Sequence, residues 1–445
     1  MTAREVEIDF ITGFPLTGRH RFSIADGVVN DNGASLKAGE IEFRPTAENS
    51  VFEVADVVIG IGFHWQRREP QRFRGSLRLL VDGDDIILVN DVAVEDYLRS
   101  VISSEMSANA SQSLLKAHAV ISRSWVLSQI DKTSVGDTSS RPATDAATGP
   151  DGHATIIKWY DREDHRLFDV CADDHCQRYQ GITRQTTPAV DIAVNETRGE
   201  VLTSDGALCD ARFSKCCGGI TEDFATCWDD RSMTYLAPVA DDSGSKPAAT
   251  AMTDADARQW ILSRPESFCA NPGKEILAQV LNNYDRETTD FYRWKVTIDS
   301  IELGRLIRSK SGIDLGEITD LIALRRGASG RVSLLRIIGD KLTVDVGKEL
   351  EIRRWLSETH LYSSAFIIDR QEIASATESD GLTNVKCEHS SNCLTPRYRF
   401  TLRGAGWGHG VGLCQIGAAV MGAKGYGYRQ ILSHYDPGSE ITKRY

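Results

Sequence analysis

No segment of the 445-residue sequence is apolar for long enough to cross a bilayer. The longest such stretch, Val51 to Trp65, is interrupted by Glu53 and Asp56 and falls short of the ~20 residues a spanning helix needs. Positive charge is also in deficit: 51 Lys plus Arg stand against 63 Asp plus Glu, a net charge of −12, with no long basic run. That excludes the electrostatic footprint on which nucleic-acid binding rests. The opening MTAREVEIDF has neither the basic nor the apolar region of a signal peptide, so the chain is expected to be cytoplasmic or a mature form with an added Met1. Cysteine is sparse, with ten residues, too few for a disulfide scaffold in a chain long enough to hold a core without one. What is present in quantity is hydrophobic material, 41% of residues, and a length that points to about two or three units.

The hydrophobic pattern changes period along the chain. Residues 1 to about 92 read as short strands: Glu5 to Ile11, Ile41 to Phe43, Val51 to Ile59, and a hairpin over Ser76 to Val89 in which Leu77, Leu79, Val81, Ile86 and Leu88 flank the turn Asp82-Gly83-Asp84-Asp85. Helical spacing follows in Val94 to Met106 and Ser111 to Ile130, where Leu114, Ala117, Ile121 and Trp125 step along one face. Residues 131 to 153 are small, polar and rich in Gly and Pro, and are expected to form a surface loop or lid. The link Asp241 to Pro247 reads as a boundary, after which helices at Asp254 to Ser263, Gly273 to Leu281 and Ile301 to Ser309 and strands at Thr319 to Arg325 and Gly330 to Ile338 suggest an αβ subdomain. There is no repeat of fixed period.

Metal-type residues concentrate in DHRLFDVCADDHCQRY, where His165, Cys171, His175 and Cys176 fall within twelve residues. Two thiolates and two imidazoles suit tetrahedral zinc, and four protein donors would close the coordination sphere, as in a structural site. The alternative is a surface His165 with Cys171 and Cys176 as buried thiols or a small disulfide loop. Cys209, Cys216, Cys217 and Cys227 form a second group, expected to be buried thiols or to hold one disulfide, since adjacent cysteines rarely chelate one metal. Cys387 and Cys393 bracket EHSSN and are spaced to close a small loop.

The run GAGWGHGVGLCQIGAAVMGAKGYG, Gly404 to Gly427, is spaced by alternation rather than as GxGxxG and follows no βαβ pattern, which rejects a dinucleotide fold. Alternating glycines clear one face of an extended segment, either for tight packing or as a cleft wall for an extended polymer, with His409 and Gln415 projecting there. A single carboxylate, Glu105 in VISSEMSANA, ends the first helix where an acid can point into a cleft, although spacing alone does not distinguish it from a solvated surface acid.

Taken together, VAVEDYLRSVISSEMSANASQSLLKAHAVISRSWVL (Val92 to Leu127), DVCADDHCQRYQG, CGGIT (Cys217 to Thr221) and GWGHGVGLCQIGAAVMGAKGYGYRQILSHYDPGSEI (Gly406 to Ile441) closely resemble the SpoIID/LytB family of stage II sporulation protein D and amidase-enhancer relatives. The resemblance runs in order from about residue 75 to the C-terminus and hardly touches residues 1 to about 70. It implies a lytic transglycosylase that cleaves the MurNAc–GlcNAc β-1,4 bond of peptidoglycan, in the sporulation proteins on glycan stripped of stem peptides. The family's catalytic glutamate falls on Glu105, with Ser103 and Ser107 where prolines are common, and its zinc site falls on His165, Cys171, His175 and Cys176. Lys116 and Arg123, two helical turns apart, are then candidates to hold the lactyl carboxylate, the other reading being a solvated basic stripe. Thr221, Tyr235, His409 and Gln415 fall in family motifs as further cleft candidates.

The resulting expectation is an α+β fold. It comprises an N-terminal β-rich region (1–92), a catalytic core with Glu105 and the zinc cluster (93–248), an inserted αβ subdomain forming a cleft (249–384) and a glycine-rich C-terminal part of the core (385–445). An extracytoplasmic polymer as substrate favours a mature chain that has lost its signal peptide. Two other functions remain open at this point, a zinc-dependent cell-wall amidase and a non-catalytic wall-binding protein that enhances a partner amidase.

Overall fold

The computed structural model describes residues 2–25, 27–36, 39–61, 66–135, 144–148, 152–159, 165–184, 187–244, 251–281, 290–373 and 397–445. Among them the fold is α+β, with helices and several sheets, of which the five-stranded one mixes parallel and antiparallel pairs.

The N-terminal strands pair into antiparallel sheets. One runs in the order 34–36, 28–31, 18–25, 5–12, 51–59, 67–73, and the other in the order 2–3, 85–91, 76–82, 40–43. Alternation drives the first: in Glu5–Thr12, Val6, Ile8 and Phe10 face inward while Glu5, Glu7 and Asp9 take the other side. The expected hairpin is present, with Ser76–Asp82 paired in register to Asp85–Asp91.

Two helices follow, α1 (Val94–Glu105) and α2 (Gln112–Val135). On α1, Tyr97, Leu98, Val101 and Ile102 are buried. The second helix is the central rod of the core. Leu114, Ala117, Ile121 and Trp125 are buried as expected, but so are Leu115, His118, Val120, Ser122, Arg123 and Ser124, so every face is covered. Its neighbours are α1, the helices Pro188–Glu196, Gln415–Ala423 and Tyr428–Tyr435, and the strand Glu200–Ser204. The same hydrophobic cluster includes Phe10, Phe52 and Phe73 of the N-terminal sheet, so that region and the helices share one core.

The later segment has its own core, in which Leu303, Ile307, Val332, Leu335, Ile337, Ile352 and Trp355 meet. Strands 366–373, 397–405 and 293–299 form one sheet there, so the chain returns through this unit after the segment spanning 374–396. A five-stranded sheet has the order 144–148, 154–158, 343–347, 332–339, 318–326. This corrects part of the expected lid: Thr144–Thr148 and Ala154–Lys158 are paired strands, the latter parallel to Thr343–Gly347, and the rest of that stretch beyond residue 135 lies largely outside the described residues. At the start of the expected link 241–247, Asp241 is fully buried and holds the Phe268 and Cys269 backbone through its carbonyl and carboxylate.

Alternation of glycines does not produce an extended wall. Gly406, Gly408, Gly410 and Gly412 all take left-handed φ, +77°, +90°, +76° and +68°, which coils the segment. A Cβ on Gly410 would lie 2.3 Å from the Arg331 guanidinium carbon, and one on Gly412 would lie 2.1 Å from the Arg212 carbonyl oxygen. The cleared face is therefore filled by the protein's own chain.

Candidate active site

Glu105 is the last residue of α1, the end at which the helix dipole disfavours negative charge. Its Oε1 accepts the Arg178 backbone N–H at 2.9 Å, and its own carbonyl accepts a bond from Lys215 Nζ at 3.2 Å. Burial pushes the carboxyl above its ordinary range, the nearby Arg178 charge opposes this, Asp174 reinforces it, and Lys215 pulls it down. The turn after it is fixed without prolines: Ser107 N–H donates to the Gln279 carbonyl and Ser111 N–H to Gln279 Oε1, each at 3.2 Å.

The donor of that hydrogen bond comes from the metal-type segment. His165, Cys171, His175 and Cys176 converge so that their donor atoms all lie within 4.8 Å of one another. Cys176 Sγ is 3.3 Å from His165 Nε2 and 3.5 Å from His175 Nδ1, and Cys171 Sγ is 4.0 Å from His175 Nδ1. With metal–ligand bonds of ~2.0–2.3 Å, a tetrahedron has edges of about 3.3–3.8 Å, so the donor set fits a tetrahedral ion. Arg178 lies two residues beyond Cys176, and its side chain bonds Asp174 within the same loop at 2.7 Å.

The loop is also pinned to its surroundings. Tyr179 stacks on Tyr97 of α1 at 5.2 Å and donates to Asn90 at 2.5 Å, while Asp173 accepts the Ile61 N–H at 3.1 Å. Tyr97 in turn donates to Gln177 Oε1 at 3.3 Å. Gln180 N–H donates to Ser100 Oγ on α1 at 3.0 Å. The N-terminal sheets therefore brace the segment that addresses Glu105.

Behind Glu105, Lys215 also donates to the Val280 carbonyl at 3.4 Å. Gln415 meets His118 Nε2 at 3.2 Å, and His118 Nδ1 faces Ser122 Oγ at 3.2 Å. Burial drives the His118 pKa down to about 3, with Lys215 adding to the effect, so the ring is neutral. Gln415 is thus buried beneath the site as a strut for α2. Lys215, Arg178, Tyr97 and His118 were not singled out in the sequence. Tyr97, His118 and Arg178 fall inside the family-like motifs, whereas Lys215 lies just before one and is brought to Glu105 only by folding.

The other candidates scatter. Lys116 is ion-paired with Glu196 and lies over the Tyr428 ring. Arg123 has no exposed surface: its guanidinium grips Glu95 at 2.6 and 3.0 Å and donates to the Glu200 carbonyl at 3.0 Å. The expected shared basic face fails for Arg123, because α2 is covered on all sides. Thr221 is buried and accepts the Val239 N–H at 2.8 Å. Tyr235 accepts the Asp210 N–H at 3.1 Å, and His409 is packed edge-on to Trp228 with Nδ1 accepting the Val411 N–H at 3.1 Å. These three serve the packing around the glycine-rich segment rather than Glu105.

Among the cysteines, Cys209, Cys216, Cys217 and Cys227 are buried and form no disulfide, and Cys387 and Cys393 lie outside the described residues. Among the described residues no helix is long and apolar enough to cross a membrane.

Comparison with known proteins covers both halves. Residues 222–412 match a domain of unknown function, DUF8618, and residues 82–204 match the family described as Stage II sporulation protein. The Amidase enhancer of Bacillus subtilis is 23% identical over 355 residues, covering 78% of this chain and 40% of that protein. An uncharacterized protein of Brachyspira hyodysenteriae is 28% identical over 196 residues, covering 44% of this chain and 42% of that protein. The chain spans about two fifths of the length of these curated relatives. Glu105 and the His/Cys quartet both lie inside the stage II sporulation match, and that region supports the likeness of this chain to the SpoIID/LytB family.

Proposed function

We propose that this chain is a peptidoglycan lytic transglycosylase that cleaves the MurNAc–GlcNAc β-1,4 bond and leaves 1,6-anhydro-MurNAc ends. The observation that carries the reading is Glu105, a carboxyl whose burial favours its protonated form and which lies inside the stage II sporulation match, where the motif resemblance implies the catalytic glutamate. Most glycosidases need two carboxyl groups, one for the leaving group and one for water or a covalent intermediate. In a lytic reaction the muramic acid C6 hydroxyl attacks C1, so one residue serves twice. Protonated Glu105 gives its proton to the glycosidic oxygen as the C1–O bond breaks. The carboxylate then takes the C6 hydroxyl proton as the C6–O–C1 bond closes, which restores the acid. The Arg178 N–H on Oε1 orients the group and leaves Oε2 for proton exchange.

His165, Cys171, His175 and Cys176 would hold a structural zinc ion in this reading. Bound there, zinc would cross-link the loop that carries the Arg178 N–H to Glu105, and the four protein donors leave no open position for a metal-activated water. This argues against the amidase alternative. Peptidoglycan as substrate places the protein outside the cytoplasm.

The printed name of the Bacillus subtilis relative favours one other reading, a wall-bound enhancer of a partner amidase without chemistry of its own. Digestion of denuded glycan strands and of intact sacculi, followed by mass spectrometry, separates them. The transglycosylase yields anhydro-muramoyl ends, with a rate that falls as pH rises through the Glu105 pKa, and Glu105→Gln lowers the rate ~10²–10⁴-fold. Anhydro ends made by Glu105→Gln at the normal rate would sink the mechanism. Stimulation of an added amidase with no anhydro product from the wild-type chain would establish the enhancer.

A further inference from the structure

A second cluster of metal-type donors is buried away from Glu105, and the sequence hides it. Cys217 follows the strand-like segment Phe213–Ser214, Asp241 and Cys269 lie 24 and 52 residues further on, and Cys414 caps the helix Gln415–Ala423. Folding brings Cys217 Sγ, Cys269 Sγ, Cys414 Sγ and an Asp241 carboxylate oxygen within 4.8 Å of one another, and all four residues are buried. We propose that these residues form a second metal site, which holds a structural zinc ion through three thiolates and one carboxylate.

Three observations favour a cation over four packed side chains. Cys217 Sγ and Cys269 Sγ are 3.7 Å apart, close to the ~3.8 Å edge of a tetrahedron built on ~2.3 Å metal–sulfur bonds. The sulfurs are also provided with donors as thiolates are. Gly219 N–H points at Cys217 Sγ at 3.3 Å, and Cys414 Sγ receives the Cys217 N–H at 3.3 Å and the Gly417 N–H at 3.4 Å at the positive end of a helix. Finally, a fully buried carboxylate sits among the sulfurs, oriented by the Cys269 N–H at 2.8 Å and the Tyr435 hydroxyl at 2.5 Å, which leaves lone pairs on both oxygens. Such fixing of ligands from behind is the habit of metal sites.

The charge is accommodated. Binding of the ion displaces to solvent the protons that its four ligands hold, and a divalent ion with three thiolates and one carboxylate then carries two negative charges. Two buried guanidiniums lie on the same turn: Arg293 donates to the Gly218 carbonyl at 2.9 Å and Arg331 to the Cys217 carbonyl at 3.2 Å. The soft donor set selects zinc over harder cations. Cys216, also buried, faces Cys269 and Cys414 and is the competitor of Asp241 for the fourth position. The ion would tie the end of the catalytic core to the start of the later unit and to the C-terminal motif. It would thereby hold Lys215 and Gln415, which flank Cys217 and Cys414.

The test is independent of any wall-degrading activity. Full-length protein purified with a mild reductant and no chelator is expected to carry about two equivalents of zinc by elemental analysis. Both Cys171→Ser/Cys176→Ser and Cys217→Ser/Cys269→Ser should fall to about one, so either folded variant decides. Cobalt loaded into chelator-stripped Cys171→Ser/Cys176→Ser should show thiolate charge-transfer bands with tetrahedral ligand-field bands. One equivalent in the wild type that disappears with Cys171→Ser/Cys176→Ser would overturn the proposal, as would a disulfide through Cys217, Cys269 or Cys414 in non-reducing peptide maps. Retention of the second ion by Asp241→Asn with its loss from Cys216→Ser would overturn Asp241 as the fourth ligand.

Discussion

Glu105 and His118 illustrate how burial sets the state of a titratable side chain, in opposite senses. For Glu105, burial and Asp174 favour the protonated acid, and the Arg178 and Lys215 charges limit the rise. Glu105→Gln should therefore keep or raise the melting temperature while slowing anhydro-end formation by the same ~10²–10⁴-fold, because the amide avoids the desolvation of a charge. A lower melting temperature in calorimetry would instead make Glu105 a structural acid. His118 has a folded pKa of about 3 against an ordinary 6.5. The unfolded chain thus binds the extra proton first, and folding stability drops as pH falls from about 6.5 toward 3, by up to ~1.4 kcal/mol per unit. In His118→Gln, which retains hydrogen-bonding capacity toward Ser122 and Gln415, this slope should flatten. An unchanged slope in denaturant titrations across that range would remove His118 as its source.

The second helix and the glycine-rich segment each do something different from their pattern. Apolar residues stepping along α2 suggest one buried face, yet the chain wraps all of it, and Arg123 becomes a buried partner of Glu95. Arg123→Met should destabilise by ~3–5 kcal/mol, because Glu95 is left buried without its partner. A glycan-binding role would instead raise KM with stability intact, and urea unfolding beside kinetics tells them apart. In the glycine-rich segment, Gly410 combines left-handed φ with a Cβ position occupied by Arg331. Gly410→Ala is expected to cost at least ~1–3 kcal/mol of backbone strain before the clash is counted. Near-wild-type unfolding would mean that Arg331 is free to move aside.

The N-terminal sheets are part of the site's support. Phe73 of that region packs on Tyr179 at 5.9 Å, Tyr179 stacks on Tyr97, the Arg72 carbonyl accepts the Ile182 N–H and the Arg72 N–H donates to Thr183 Oγ1. Deletion of residues 1–92 should therefore expose a shared core and give a chain without a fixed tertiary signal in near-ultraviolet circular dichroism. A cooperatively unfolding monomer from 93–445 would show that the sheets are separable. Their bracing of the loop also explains why a region outside the stage II sporulation match belongs to the same structural problem.

Local information sufficed for what is local. Period-two and helical patterns located the 76–91 hairpin, α1 and the helix Asp254–Ser263, and the twelve-residue His/Cys segment assembled as its spacing suggested. Glu105 was legible only through the motif around it, since nothing in its spacing separates it from a surface acid. The tertiary structure alone decided the rest. It made α2 central and Arg123 inaccessible, turned the glycine run into an internal seam, and brought Cys269 and Cys414 to Cys217 and Asp241. Periodicity reports which side of an element is apolar, but which groups from distant segments meet, and whether water reaches them, depends on how the elements pack.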